Sequence, residues 1–316
     1  MSARIGLLSG VAALGLLATS CKAVRGYVPN DAIEGLEAVE AVRRAAPDTS
    51  HCDGLDASIA VTEEYALGGA VAINWVQRGG GLMVTDDPGL KLHHFVNLVG
   101  KNLAAQSPRP TLRWTFGVLQ DTQAFDAVSA PGGYVFVTRR LLQGVENEAQ
   151  LAGVLAHEIA HITSKHALTR YGQVKVQQCE KDAWGKAIGG ALDLDLNPEM
   201  LTKLTDKAVD SIVENGFGKE DEFAADELAV RLMVSAGYDP QEFLRFLGKI
   251  PDSRGVFANH PRKVDRVKRL VALLEAAKKT PENEFPELPA STAGFAKPPL
   301  PAEFSVVKGS SAGGRL

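Results

Sequence analysis

The run Leu151 to His166, LAGVLAHEIAHITSKH, constrains this chain more than any other stretch, because it places three ionisable residues in a helix that is otherwise apolar. From Leu151 to Ile162 the residues that are neither small nor aliphatic are His157, Glu158 and His161. Burying such groups is costly unless something satisfies them, and a metal ion is one thing that does. At about 100° per residue, His161 lies about 40° round from His157 and one turn along, with Glu158 about 100° from His157, so all three can face one cavity. The other arc, Leu151, Leu155, Ile159 and Ile162, is left to pack the helix into a core. Asn147 is the expected N-cap, with Gln150 three residues on. Two imidazoles at i and i+4 suit two positions of a tetrahedral zinc, and the intervening carboxylate can reach a water at an open position. The alternative is two core or surface histidines without metal; accidental HExxH matches fall mostly on polar, solvated faces, whereas this one is apolar.

A third ligand is needed if a zinc is to keep one position for water. Lys219 to Ala236, KEDEFAADELAVRLMVSA, predicts a helix stopped by Gly237, after which Asp239 and Pro240 start the next. Glu222 and Asp226 lie one turn apart on one face, so Glu222 fits a ligand and Asp226 an acceptor for the second N–H of a ligating histidine. With Glu220, Asp221 and Glu227 alongside, the alternative is a solvated acidic face.

Around these two helices the periodicity is mixed. Ile59 to Arg78 and Pro88 to Ala105 read as helices, while Leu112 to Leu119 and Tyr134 to Thr138 read as strands, with a turn at Pro131, Gly132 and Gly133. The expected class is α+β: mainly helical, with the two strands paired as a small antiparallel sheet beside the HExxH helix. An edge strand would then lie near the metal, where an extended peptide can add by main-chain hydrogen bonds. His166, five residues beyond His161, points away from the ligand pair if the helix continues, which makes it structural or surface. The Gly-rich stretch Gly185 to Pro198 reads as a loop or lid over the cleft, or as a variable surface excursion.

The 316 residues, 45% hydrophobic and 23% charged, suffice for one substantial domain or two small ones. A net charge of -4 and no long Lys/Arg run disfavour nucleic acid as a partner. Residues 1–20 read as a signal peptide, with Arg4 ahead of the uncharged run Ile5 to Ala18. That run ends in LATSC, which resembles a bacterial lipobox and makes Cys21 the candidate lipid anchor, although Ala18 stands where leucine is commoner; the alternative is a cleaved, soluble product. Lys22 in place of aspartate leans towards the outer membrane. Residues 21–58 form a spacer with a helical stretch around Ala32 to Ala46, residues 59–278 the main domain, and 279–316 a Pro/Gly/Ser-rich tail expected to be disordered. Cys52 and Cys179 either pair in an oxidising compartment or remain free thiols, and neither belongs to a close Cys/His cluster.

The stretch from Glu63 to about Arg269 resembles the zinc metallopeptidases of the HtpX and BepA type, gluzincins related to the CAAX prenyl proteases. The matching features are APGGYVFVT at Ala130 to Thr138, ENEAQLAGVLAHEIAHITSKH at Glu146 to His166, EFAAD at Glu222 to Asp226, and NHP at Asn259 to Pro261 with Arg266 beyond. The resemblance implies a zincin-like fold and one zinc per chain held by His157, His161 and Glu222. It implies Glu158 as catalytic base, Asp226 orienting a histidine ligand, and His260 and Arg266 at the active site, placed to bind the oxyanion. In BepA-like proteins the matching histidine can approach the metal and hold the enzyme inactive. Two positions depart from the pattern: Asp126, Ala127 and Val128 stand where relatives often have Asn-Ala-Phe, and Asn259 replaces a frequent threonine. The expected function is that of an exported, periplasmic zinc metalloendopeptidase, lipid-anchored to the membrane, that cuts unfolded or misassembled envelope proteins. The alternative is a largely non-proteolytic chaperone or assembly factor on the same fold.

Overall fold

The computed structural model describes residues 47–57, 59–84, 86–121, 123–124, 126–192, 217–250, 263–279 and 294–308. The chain divides into two compact units, Met1–Leu55 with Val174–Asp206, and Asp56–Gln173 with Lys207–Leu316. The larger unit runs α1 (Val61–Arg78), α2 (Asp87–Ala105), β1 (Thr115–Leu119), β2 (Ala127–Ala130), β3 (Tyr134–Thr138), α3 (Arg139–Gly144), α4 (Glu148–Thr163), the start of α5 (His166–Leu192), α6 (Lys219–Ser235), α7 (Pro240–Lys249), α8 (Lys263–Lys279) and, after a 3-10 turn at Ala302–Phe304, the short α9 (Ser305–Lys308). The mainly helical α+β class is as expected.

The HExxH segment is α4, and it is the axis of this unit. Every residue from Ala149 to Thr163 is buried, as an all-round apolar helix requires. Leu151, Leu155 and Ile159 are completely covered, each contributing roughly 1.5–3 kcal/mol by burial. Asn147 caps the helix, its Oδ1 accepting from the Gln150 N–H at 3.0 Å. The cap is fastened to α7, because Asn147 Nδ2 and Gln150 Nε2 both donate to Glu242 Oε2, at 2.8 and 3.0 Å. Helices α2, α6 and α7 and strand β2 pack around α4.

The sheet differs from the expected antiparallel pair. It has three strands in the order β1-β3-β2, with β1 parallel to β3 and β2 antiparallel to it. The difference comes from β2, whose short AVSA run carries too weak a strand signal to count alone. The Pro-Gly-Gly turn therefore joins β2 to β3, and β1 takes the far side of β3. The turn needs its glycines, since Gly132 and Gly133 have φ of 81° and 103°. Residues 81–83 cover the outer side of β1, through a bridge between Leu82 and Leu119 and a 2.8 Å bond from the Met83 N–H to the Val118 carbonyl. Among the described residues, β2 is thus the open edge, and it lies against α4.

Helix α1 locks the turn from outside. Glu64 is buried and takes both Arg109 Nη atoms, at 2.9 and 2.7 Å, while its Oε1 also accepts the Gly132 N–H at 3.0 Å. One turn on, a Cβ at Gly68 would stand 1.8 Å from the Pro131 carbonyl oxygen, so only glycine lets α1 approach this closely.

Two further expectations are corrected. The tail was expected to be disordered from 279, yet 294–308 is packed: Phe304 and Val307 are buried, and Phe304 meets Phe95 edge to face at 5.8 Å. Its backbone also docks, with the Glu148 N–H donating to the Pro298 carbonyl at 2.9 Å and the Asp239 N–H to that of Ala296 at 3.0 Å. The tail is rich in Pro, Gly, Ser and Ala, but the apolar side chains of AEFSVV supply enough burial to offset ordering. The second correction concerns the Gly-rich loop. Residues 185–192 are the end of α5, because extending an existing helix costs far less than nucleating one, even through glycine. Residues 193–198, the spacer helix around 32–46 and Cys21 lie outside the described residues.

In the smaller unit, a 3-10 turn at Ser50–Cys52 is joined to α5 by a disulfide between Cys52 and Cys179, with Cα atoms 5.7 Å apart. The free-thiol alternative is therefore set aside.

The Glu64–Arg109 pair, buried at the glutamate and partly exposed at the arginine, yields a direct test of the scaffold. Removing Glu64 takes the acceptor from Arg109 and from the Gly132 N–H, so Glu64→Ala should lower the unfolding free energy by about 2 kcal/mol in urea titrations. A variant as stable as wild type would show that the pair does not hold the turn.

Candidate metal centre

Helices α4 and α6 cross so that His157, His161 and Glu222 converge. His157 Nε2 and His161 Nε2 stand 3.0 Å apart, and each lies 3.4 Å from a Glu222 carboxylate oxygen. All three side chains are buried. Arms of about 2.0–2.1 Å in a tetrahedron give ligand-to-ligand edges of about 3.3 Å, so this donor set fits a zinc-sized ion without rearrangement. Two imidazoles and a carboxylate are also the donor chemistry such an ion takes while keeping one position open. Among the described residues one other group, His51, Cys52 and Cys179, brings three potential donors together, but its two cysteines are spent in the disulfide.

The carboxylate one turn beyond Glu222 fixes a ligand. Asp226 Oδ1 lies 3.0 Å from His157 Nδ1, which turns Nε2 of that ring towards the centre. Arg266, buried on α8, donates to Asp226 from Nε at 2.9 Å and from Nη2 at 2.6 Å, and its Nη1 lies 3.5 Å from Glu222 Oε2. Its donors are therefore turned to the two carboxylates. Burial pushes the Asp226 carboxyl up, but Arg266 and His157 outweigh it and hold the group below the ordinary carboxylate value. For His157, burial and Arg266 work downward, yet the hydrogen bonds to Asp226 and Glu222 prevail and raise it to about 9.

Glu158 is buried beside the ligands, and its Oε1 has no hydrogen-bond partner among the described residues. A buried carboxylate oxygen left so is costly and marks a place where a water or substrate atom belongs. Asp126, just ahead of β2, faces it. Burial and then the Glu158 charge raise the Asp126 carboxyl well above its ordinary range.

Sequence reasoning placed His166 away from the ligands, and the structure corrects this. Helix α4 ends at Thr163, so the helical period does not carry to 166. Lys165 adopts φ 60°, the one non-glycine residue with positive φ among those described, and turns the chain back on itself. His166 Nδ1 consequently meets His161 Nδ1 at 2.8 Å. Phe217, also missed, stacks on the His161 ring at 4.2 Å between centroids. No periodicity signal reveals either contact, because one rests on a left-handed residue and the other on long-range packing. His260 lies outside the described residues.

A helix-borne His-Glu-His set completed by a glutamate from a second helix defines the gluzincin class of metallopeptidase centre. Residues 92–274 match the family model described as Peptidase family M48, and the chain belongs to that family. It is similar to the beta-barrel assembly-enhancing protease of Yersinia pestis, 28% identical over 174 residues that make up 54% of this chain and 35% of the relative. The protein of the same name from Escherichia coli K12 is 27% identical over 180 residues, 56% of this chain and 36% of the relative. The mitochondrial metalloendopeptidase OMA1 of Schizosaccharomyces pombe is 28% identical over 195 residues, 58% and 53% respectively. This chain thus matches about a third of the length of the bacterial relatives and about half of the fungal one.

The His157 environment sets a pH dependence. With its proton held up to about 9, a metal must displace that proton to bind, so affinity should rise as pH rises from 6 to 8, by up to about tenfold per unit. Chelator competition at several pH values measures this; an affinity independent of pH would contradict the ligand assignment.

Proposed function

We propose that this protein is a zinc-dependent metalloendopeptidase that hydrolyses peptide bonds in unfolded or misassembled cell-envelope proteins after export. The observation that carries the reading is the buried convergence of His157, His161 and Glu222 with the unpartnered Glu158 oxygen beside it. Zinc, when bound, supplies Lewis acidity to the scissile carbonyl and to the attacking water. Glu158 takes the proton of that water and passes it to the leaving amine, a transfer suited to a carboxylate enclosed beside the reacting atoms. Asp226 keeps the His157 ring in its ligating tautomer, and Arg266 holds Asp226 while balancing the charge of Glu222. Stabilising the oxyanion falls in this reading to His260, since the Arg266 donors are engaged.

The polypeptide lies along the open edge of β2, where its main chain can add as a further strand. A shallow depression lined by Ser129, Ala130, Pro131, His161, Leu168 and Phe217 lies beside that edge. Export is supported by the uncharged run Ile5 to Ala18 and by the Cys52–Cys179 disulfide, a bond that persists in oxidising compartments. Lipid anchoring at Cys21 rests on the small residues before it. The envelope substrates follow the names of the bacterial relatives, proteases described as enhancing beta-barrel assembly.

Casein hydrolysis by wild type and Glu158→Gln tests the chemistry. The variant should keep its zinc and lose on the order of 10³-fold in rate; undiminished cleavage would remove Glu158 from the mechanism. If cleavage emerged only in His260→Ala, that histidine would be a latch rather than an oxyanion donor.

A further inference from the structure

A ligating imidazole that offers Nε2 to a metal carries its proton on Nδ1, and that N–H needs an acceptor. For His157 the acceptor is Asp226. For His161, whose Nε2 faces His157 and Glu222, an atom within reach of Nδ1 is His166 Nδ1 at 2.8 Å. We propose that His166 is the positioning residue for the second zinc ligand, accepting the His161 Nδ1–H on its own Nδ1.

Three observations converge on this role. The first is the backbone: Lys165 takes the left-handed conformation, which is disfavoured for a residue with a Cβ, and its effect is to carry His166 back over the end of α4. The second is what lies beyond. With Nδ1 accepting, the proton of His166 must be on Nε2, and that atom points to Asp221 Oδ1 at 3.9 Å. Asp221 is itself fixed by the start of α6, its Oδ2 accepting the Gly218 N–H at 3.1 Å, and it immediately precedes Glu222. His166 therefore stands between the helix carrying two ligands and the start of the helix carrying the third, beyond hydrogen-bond reach of Asp221. The third observation is Phe217, which lies against both rings, 18° from parallel with His161 and tilted over His166, and so shields the contact from water. The two histidine ligands are thus oriented by different chemistry, an anionic acceptor for His157 and a neutral one for His161.

This inference rests on the zinc reading above, so the test reads metal affinity rather than cleavage. Zinc dissociation constants of the full chain are measured by chelator competition for wild type, His166→Leu and His166→Asn. Leucine removes the acceptor; asparagine restores one near the position of Nδ1. His166→Leu should weaken zinc about 10–100-fold, while His166→Asn stays within about threefold of wild type. A merely structural histidine would lower the melting temperature of both variants and leave the affinity alone, and equal affinity in all three forms would overturn the proposal. Should His166→Leu fail to fold, the zinc-loaded wild type decides: its 15N-histidine spectra should show a His161 ring N–H protected from solvent exchange, and free exchange would overturn the role. A wild type that binds no zinc would instead sink the metal-centre reading, and this inference with it.

Discussion

The structure depends on one electrostatic constraint, the concentration of carboxylates and imidazoles inside an apolar helix pair. Glu158, Glu222 and Asp226 are all buried, and the cationic side chain that meets Asp226 and Glu222 is Arg266. Even with the proton held on His157, one guanidinium and one imidazolium face three carboxylates among the described residues, a negative excess in a region of low dielectric. A divalent cation at the His157, His161 and Glu222 donors removes that excess. The metal is thus expected to stabilise the fold as well as serve chemistry, in the sense that binding energy adds to folding energy.

Much of the remaining architecture holds this centre still. The cap of α4 is tied to α7 through Glu242, and the tail is pinned across the start of α4 and beside α7. On the substrate side, Glu64 and Arg109 brace the turn that sets where β2 ends. The approach at Gly68 and the left-handed glycines of the turn leave little freedom there. The position of the turn that ends β2 is therefore closely specified.

What was legible in the sequence follows the range of the interactions. The His157, Glu158 and His161 face, the Asn147 cap and the Glu222–Asp226 spacing depend on helical periodicity, and periodicity is written locally. The sheet was misread because pairing is long-range and AVSA is too short and too small to announce a strand. His166 was misread for a related reason: extrapolating the helical period past Thr163 assumes the helix continues, and a single left-handed residue redirects it. The packed tail shows the limit of composition, since a few apolar side chains outweigh many prolines and glycines once a core is available to receive them. For Cys52 and Cys179, spacing carries no information about a pairing across 127 residues.

His157, His161 and Glu222 offer the donors for a single metal. Metal analysis of the purified protein combined with X-ray absorption at the zinc edge tests it most directly. The expected result is one zinc per chain, a first shell of nitrogen and oxygen at about 2.0–2.1 Å, and the outer-shell scattering of two imidazoles. A sulfur shell at about 2.3 Å, or no bound zinc, would contradict it.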